Sequence, residues 1–141
     1  MAARFPLIVD SSGTPAIEEI ASGDVLDLTG CQVKVGSEAT LTDGATVSWD
    51  VSTSPIAKLT LGGNRTLSAP SNAVGSGQYI SLLVIQDGTG SRTLTFNAVY
   101  EFKDDTAPTL TTTASKGDLF TFRYNGSKWL EVGRNQNLTL S

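Results

Sequence analysis

Side chains that could do acid and base chemistry are sparse in this chain of 141 residues. Adjacent carboxylates occur at Glu18/Glu19 and at Asp104/Asp105, and two carboxyl groups flanking one bond are what hydrolysis of a sugar chain requires. Neighbouring residues of a strand point to opposite faces, so neither pair is well arranged for that task. We expect both pairs to lie in solvated loops or turns.

Histidine is absent, and Cys31 is the single cysteine. Without histidine the chain lacks the commonest general base and the commonest metal ligand, and one cysteine cannot form an internal disulfide. Asp43 and Asp87 precede glycines, but the alternating acidic ligands of a calcium loop are missing. The sequence therefore predicts no catalytic residue, no cofactor site and no metal site, which makes an enzyme an improbable function.

The charged residues argue against two classes of partner. The chain carries 10 Lys and Arg against 14 Asp and Glu, a net charge of -4, with the cations spread singly from Arg4 to Arg134. Nucleic acids are bound by dense positive patches, and the longest apolar run, near Ile80–Ile85, is too short to cross a bilayer. The first ten residues do not read as a signal peptide. We expect a protein made in a cytoplasm, with no nucleic-acid partner and no membrane association.

The sequence between these charged residues predicts short strands joined by tight turns. Apolar residues alternate with polar ones in segments 46–51 and 57–61, which is the pattern of half-buried strands. Segment 79–85 is almost wholly apolar, which predicts a central strand covered on both faces. The segment 103–116 is a loop long enough to suggest a role of its own.

Turn signals predict three hairpins. Gly62-Gly63-Asn64 marks the first, segment 86–96 forms the second around Asp87–Gly90, and Asn125-Gly126 marks the third. The chain contains 14 glycines and no convincing helix. We therefore predict an all-β fold, specifically an antiparallel β-sandwich or jelly-roll-like single domain with an extended N-terminal arm.

The chain divides into three predicted zones: an N-terminal arm over 1–36, the β-sandwich over 37–132 and a polar C-terminal tail over 133–141. Ile17 and Ile20 could form one helical turn of the arm, which is too little to be stable alone. We expect the arm to lean on the sandwich or on a neighbouring subunit.

Three strings carry a resemblance to a known class of proteins: GNRTLSAP at 63–70, LLVIQDGTGSRTLTF at 82–96 and GDLFTFRYNGSKWLEV at 117–132. They resemble the β-sandwich modules of tailed-bacteriophage virion proteins, which occur in capsid decoration proteins and in tail fibres or appendages. The opening ARFPLIVDSSGTPAIEEIASGDVLDLTG resembles N-terminal attachment segments of phage structural proteins, including those of cyanobacterial phages. The resemblance implies a virion component, made in the cytoplasm of a host bacterium, and homotrimers are common in such families.

The resemblance leads us to expect a capsid decoration, or cement, protein. Such a protein would bind the outside of the phage head as a homotrimer and clamp adjacent major capsid proteins, and a short chain favours decoration over a fibre with a long shaft. The residues expected at the capsid contact or the subunit interface are Arg4, Phe5, Leu7, Val9, Ile17, Ile20, Leu138 and Leu140, together with the 103–116 loop. The alternative for Phe5, Leu7 and Val9 is an ordinary edge strand of the same sandwich.

Two other functions remain open. A tail fibre or appendage protein could bind host-surface glycan through exposed aromatic residues such as Trp129 or Tyr100, although aromatic residues on strands are more often part of the core. A depolymerase would need a carboxylate pair within a groove.

Overall fold

A computed structural model describes residues 7–9, 17–19 and 36–140. The chain divides into two units, residues 1–34 and residues 35–141. In the first unit, β1 (Leu7–Val9) pairs antiparallel with β2 (Ile17–Glu19). The expected helical turn is therefore wrong at Ile17, because strand pairing supplies the backbone hydrogen bonds that a lone turn lacks. Glu18 and Glu19 likewise lie in a strand rather than in a loop.

Strands are almost the only regular secondary structure among the described residues of the second unit, which confirms the all-β prediction. One short 3-10 helix occurs at Lys103–Asp105, and no described helix has the length and apolarity needed to cross a membrane. The strands are β3 (Ala39–Thr40), β4 (Thr46–Val47), β5 (Ile56–Leu61), β6 (Arg65–Leu67), β7 (Tyr79–Gln86), β8 (Leu94–Phe96), β9 (Tyr100–Glu101), β10 (Lys116–Tyr124) and β11 (Trp129–Thr139).

Successive strands from β3 to β9 alternate between two sheets, and β10 and β11 both belong to the larger one. The larger sheet has the order β3-β5-β7-β10-β11-β9, and the smaller has the order β4-β6-β8. Strands β3, β5 and β7 run parallel to one another, and so do β4, β6 and β8. The chain thus forms three stacked coils, which we call coil 1 (β3–β4), coil 2 (β5–β6) and coil 3 (β7–β8). This arrangement resembles a β-solenoid.

The strand pairing of the coils corrects the predicted antiparallel sandwich or jelly roll. The turn at 62–64 joins β5 to β6, and the segment 87–93 joins β7 to β8, so each connects strands of different sheets. Both predicted hairpins are therefore wrong. Glycine and aspartate permit a reversal of the chain, but they do not determine whether the next strand pairs with its predecessor or turns a corner.

The third predicted hairpin is confirmed. Strands β10 and β11 pair antiparallel with Tyr124 opposite Trp129, and Gly126 in the turn has a φ of +101°, which glycine adopts without steric cost. Strand β10 also pairs antiparallel with β7, so the hairpin covers the edge of coil 3. Because β11 continues to Thr139, the polar segment 133–139 belongs to this strand.

One hydrophobic core joins the inner faces of both sheets. The alternation seen in the sequence holds, because Val47, Trp49, Val51, Ala57, Leu59 and Leu61 are all buried. Strand β7 is central, as predicted, but one of its faces is buried and the other is only partly covered. Phe96 links the sheets, with ring centroids 4.9 Å from Phe102 and 5.5 Å from Phe120. Edge-to-face pairs of this kind add about 0.5–1.5 kcal/mol beyond the area they bury.

We call the turn between the two strands of a coil its corner. An ion pair joins the corners of coils 1 and 2. The Arg65 guanidinium donates from Nε and Nη2 to the two oxygens of Asp43, at 2.7 and 2.6 Å. Glycine makes room for this pair, since a Cβ atom at Gly62 would lie 2.8 Å from Asp43 Oδ2 and one at Gly63 would lie 2.6 Å from Arg65 Nη1. The hydrogen bonds from Arg65 lower the pKa of Asp43 below its usual value.

This ion pair predicts a specific dependence of stability on pH. A carboxyl whose pKa is lower in the folded than in the unfolded chain stabilises the fold fully above the unfolded value of about 4, and this contribution is lost as the pH falls through the folded value. Asp43→Asn should therefore reduce stability at pH 7 by up to about 1 kcal/mol, the scale for a solvent-screened pair. Its thermal midpoint should also fall less steeply than that of the wild type below about pH 4.

Asp105→Asn is the matched control, because Asp105 is an exposed residue at the end of the 3-10 helix, away from this ion pair. Its thermal midpoint should follow the wild-type curve at every pH. If the thermal midpoints of Asp43→Asn and the wild type fell equally steeply below about pH 4, the stabilising role of the Asp43–Arg65 ion pair would be contradicted.

Candidate functional site

The segment 106–115, which we call the covering loop, lies against coil 3. Backbone hydrogen bonds hold it there, from the Ser91 amide to the Thr112 carbonyl at 2.8 Å and from the Ser115 amide to the Asp87 carbonyl at 3.1 Å. The Leu110 side chain is buried in the hydrophobic core. The loop that the sequence singled out by its length is thus fixed against the segment 87–93 that leads into β8.

Gly90 sets the distance between the coil 3 corner and the covering loop. Its φ is +76°, and a Cβ atom there would clash with the Thr112 carbonyl oxygen and lie 2.8 Å from the Ala114 amide nitrogen. Both obstacles are backbone atoms, which cannot rotate away as a side chain does. Glycine is therefore required at this position for two independent reasons.

Asp118 of β10 anchors the other side of the covering loop. Its side chain is buried, with Oδ2 accepting the Thr111 amide at 2.7 Å and Oδ1 accepting the Asn137 amide at 3.0 Å. The Gln136 side-chain amide donates to the Thr109 carbonyl at 2.7 Å and reaches Asp118 Oδ2 at 3.4 Å. A buried carboxylate is tolerated only when such donors replace water. Asp118 therefore connects the covering loop to the point where the pairing register of β10 and β11 shifts, between Gly117 and Leu119.

A cleft of about 190 Å³, which we call the loop cleft, opens between the covering loop and coil 3. Leu94, Pro108 and Leu110 supply its apolar surface. The polar surface comes from three threonines and one arginine. The full lining among the described residues is Arg92, Thr93, Leu94, Pro108, Thr109, Leu110 and Thr112.

Neighbouring side chains fix Arg92 in place. Its guanidinium approaches Asp87 Oδ2 through Nε at 3.0 Å and Nη2 at 2.9 Å. Asp87 Oδ1 accepts the amides of Thr89 at 3.0 Å and Gly90 at 2.8 Å. The hydrogen bond from Arg92, assisted by these amides, lowers the pKa of the Asp87 carboxyl. The buried Gln86 side chain holds the Arg92 backbone by donating to its carbonyl at 2.9 Å and accepting from its amide at 2.8 Å.

The loop cleft has the chemistry of a binding site. Its described lining contains hydroxyl groups and a guanidinium over an apolar surface, and it contains no carboxylate. Elsewhere in the described residues, no group of three or more His, Cys, Asp or Glu could hold a metal ion. Asp104 and Asp105 belong to the exposed 3-10 helix, as expected of solvated loop carboxylates.

The structure describes five of the eight residues that were predicted from sequence for capsid or subunit contact. Arg4, Phe5 and Ile20 lie outside the described residues, whereas Leu7, Val9 and Ile17 belong to the β1–β2 pair. Leu138 lies opposite Gly117 in β11. Leu140 is 43% exposed, and its Cδ1 lies 2.9 Å from where a Cβ atom of Gly117 would be. Neither Leu138 nor Leu140 lines the cleft.

The aromatic residues proposed for glycan binding are buried, so this part of the sequence interpretation is wrong. Trp129 is 2% exposed and stacks on Tyr124, with ring centroids 4.7 Å apart. Tyr100 is 5% exposed and donates its hydroxyl to the Ser68 carbonyl at 3.3 Å. Burial raises the pKa of the Tyr100 phenol well above its usual value. Neither ring is available to stack on a sugar.

The stacked coils and the closing hairpin define a β-solenoid-like structural domain, and the loop cleft is its candidate binding site. Residues 46–129 match the family described as "Putative phage tail fibre C-terminal domain", and the chain belongs to this family. The match extends from β4 to the first residue of β11 and includes the covering loop. No curated protein matches the chain. The expected resemblance is confirmed: this is a phage virion structural protein with a tail-fibre-like module.

The close approach at Gly90 predicts a strong effect of adding one methyl group. Gly90→Ala should destabilise the protein by about 2–4 kcal/mol, because it combines an unfavourable φ with a backbone clash. Gly88→Ala is the matched control in the same corner, since a Cβ atom there has no neighbour within 4 Å, and its effect should stay within about 0.5 kcal/mol. Urea denaturation measures both, and equal midpoints for the two variants would refute the proposed contact.

Proposed function

We propose that the protein is a tail-fibre domain that binds a host-surface saccharide in the loop cleft. The family match over residues 46–129 carries the tail-fibre assignment, and it favours this function over capsid decoration. The capsid exterior, a major capsid protein as partner and a homotrimer remain predictions that the match does not support directly. Binding without catalysis is part of the proposal, because no carboxylate is among the described residues of the cleft.

The lining of the loop cleft suits a sugar ring. A pyranose has apolar C–H faces and a rim of hydroxyl groups, which correspond to the Leu94–Pro108–Leu110 surface and to the threonine hydroxyls. Binding sites for small molecules commonly combine an apolar surface with a few placed polar groups. At about 190 Å³ the cleft is smaller than the roughly 300–1,000 Å³ typical of larger ligands. We therefore propose that one ring, rather than a longer chain, is held.

The rigidity of the walls favours binding at this site. Gly90, Asp118 and Gln86 fix the coil 3 corner and the covering loop through the hydrogen bonds and contacts described above. A preformed site loses little conformational freedom when a ligand enters. The affinity of one small cleft is still modest, and several linked copies at the host surface would raise the overall avidity.

The location of the protein on the phage particle tests the tail-fibre assignment. Antibodies against the chain, detected by immunogold labelling of intact particles, should mark the tail. Label distributed over the head would overturn the tail-fibre proposal and would restore capsid decoration.

Loss of threonine hydroxyls tests the cleft. Thr109→Val together with Thr112→Val preserves side-chain shape but removes two hydrogen-bonding groups, each contributing about 0.5–1.5 kcal/mol. Binding to polysaccharide from a susceptible host should weaken about tenfold by biolayer interferometry. The control is Thr60→Val with Thr66→Val, two exposed strand residues outside the cleft. Equal weakening by both double variants would place the binding site elsewhere.

A further inference from the structure

Arg92 supplies the only charge among the described residues that line the loop cleft. The chain as a whole carries a net charge of -4, so a positive group at this position is not part of a general basic surface. No carboxylate that would repel an anion is among the described residues of the lining. The charge distribution therefore favours a ligand with an acidic group.

The hydrogen bonds of Arg92 leave part of its guanidinium available. Nε and Nη2 both engage one oxygen of Asp87, and no described residue accepts a hydrogen bond from Nη1. Arg65 differs, because it engages both oxygens of Asp43 and also reaches the Asn64 carbonyl through Nη1 at 3.5 Å. The Arg92 side chain is 29% exposed. Its free donors can therefore meet a ligand.

We propose that the loop cleft selects a saccharide carrying an acidic group and that Arg92 determines this specificity. The inference rests on the proposed function, since it names the ligand class of the same cleft. A guanidinium binds carboxylate and phosphate groups through paired N–H donors. Gln86 holds the Arg92 backbone and Asp87 holds its side chain, so the donors are positioned before the ligand arrives.

Asp87 moderates the strength of this interaction. Its carboxylate offsets the positive charge of Arg92, so the cleft attracts an anion less strongly than an unpaired arginine would. The preference for an acidic sugar over its neutral counterpart is therefore limited to about tenfold, the factor supplied by one charge-assisted hydrogen bond. Neutralising Asp87 should increase the preference for the acidic sugar, whereas removing Arg92 should abolish this preference.

Titration of the full chain with four sugars tests the inference. The probes are glucuronic acid, its uncharged methyl ester, glucose and glucose 6-phosphate, followed by the NMR signals of the Arg92 Nε–H and the Thr112 amide. Glucuronic acid should bind about tenfold more tightly than its methyl ester. Arg92→Gln should remove this difference, measured as the ratio of the two dissociation constants. Asp87→Asn, which keeps an oxygen for the Thr89 and Gly90 amides, should enlarge it.

Arg123→Gln is the control, because it removes the same charge from an exposed residue of β10 outside the cleft. Glucuronic acid should keep its advantage in this variant. Should Arg92→Gln impair folding, Arg92→Lys retains the charge without the paired donors, and it should reduce the advantage. Glucose 6-phosphate binding at least as tightly as glucuronic acid would identify phosphate as the preferred acidic group.

The failures of the two proposals are distinguishable. Equal binding of glucuronic acid and its methyl ester at the cleft would overturn the role of Arg92 and leave saccharide binding intact. If none of the four sugars shifted the cleft signals at millimolar concentration, the saccharide site itself would be refuted together with the inference.

Discussion

Parallel pairing between successive coils is the constraint on which the rest of this structure depends. Residues 56–61 of β5 pair in an unbroken parallel register with residues 81–86 of β7, so the end of one coil lies directly beside the end of the next. The corners that follow are stacked as a consequence, and the Thr93 amide donates to Asn64 Oδ1 at 3.1 Å between them. Asp43 and Asp87, on the corners of coils 1 and 3, are close enough for their charges to interact.

Sequence patterns reveal the strands of this protein better than they reveal the partners of those strands. Alternation in residues 46–51 and 57–61 marked the buried positions, and Asn125-Gly126 marked a genuine hairpin because its flanking strands are long and adjacent. The turns at 62–64 and 87–93 carry the same residue types but lead into another sheet. That choice depends on whether the returning strand forms its hydrogen bonds with the preceding strand or with an earlier coil. The residues of the turn itself do not show which partner is chosen.

The sequence indicated only one wall of the loop cleft. The length of the 103–116 loop suggested a role, but its meeting with Arg92 requires coil 3 and β10 to be in place. Gln86 and Asp118 were not recognised as important, because a polar residue within a strand usually faces solvent. Here both are buried, and backbone groups satisfy them. Their side chains extend the hydrogen bonding of the sheets to segments that are not strands, which is why an irregular loop can form a fixed wall.

The antiparallel hairpin β10–β11 ends the stack of coils at coil 3. Strand β10 runs against β7 and covers the edge that a fourth parallel coil would occupy in the larger sheet. Another parallel coil could therefore be added only upstream of coil 3, and it would lengthen the stack of coils by roughly 4.8 Å, the spacing between neighbouring strands. The described residues that line the cleft all belong to coil 3 and the covering loop. A lineage could thus change the length of the domain while keeping the residues that line the cleft.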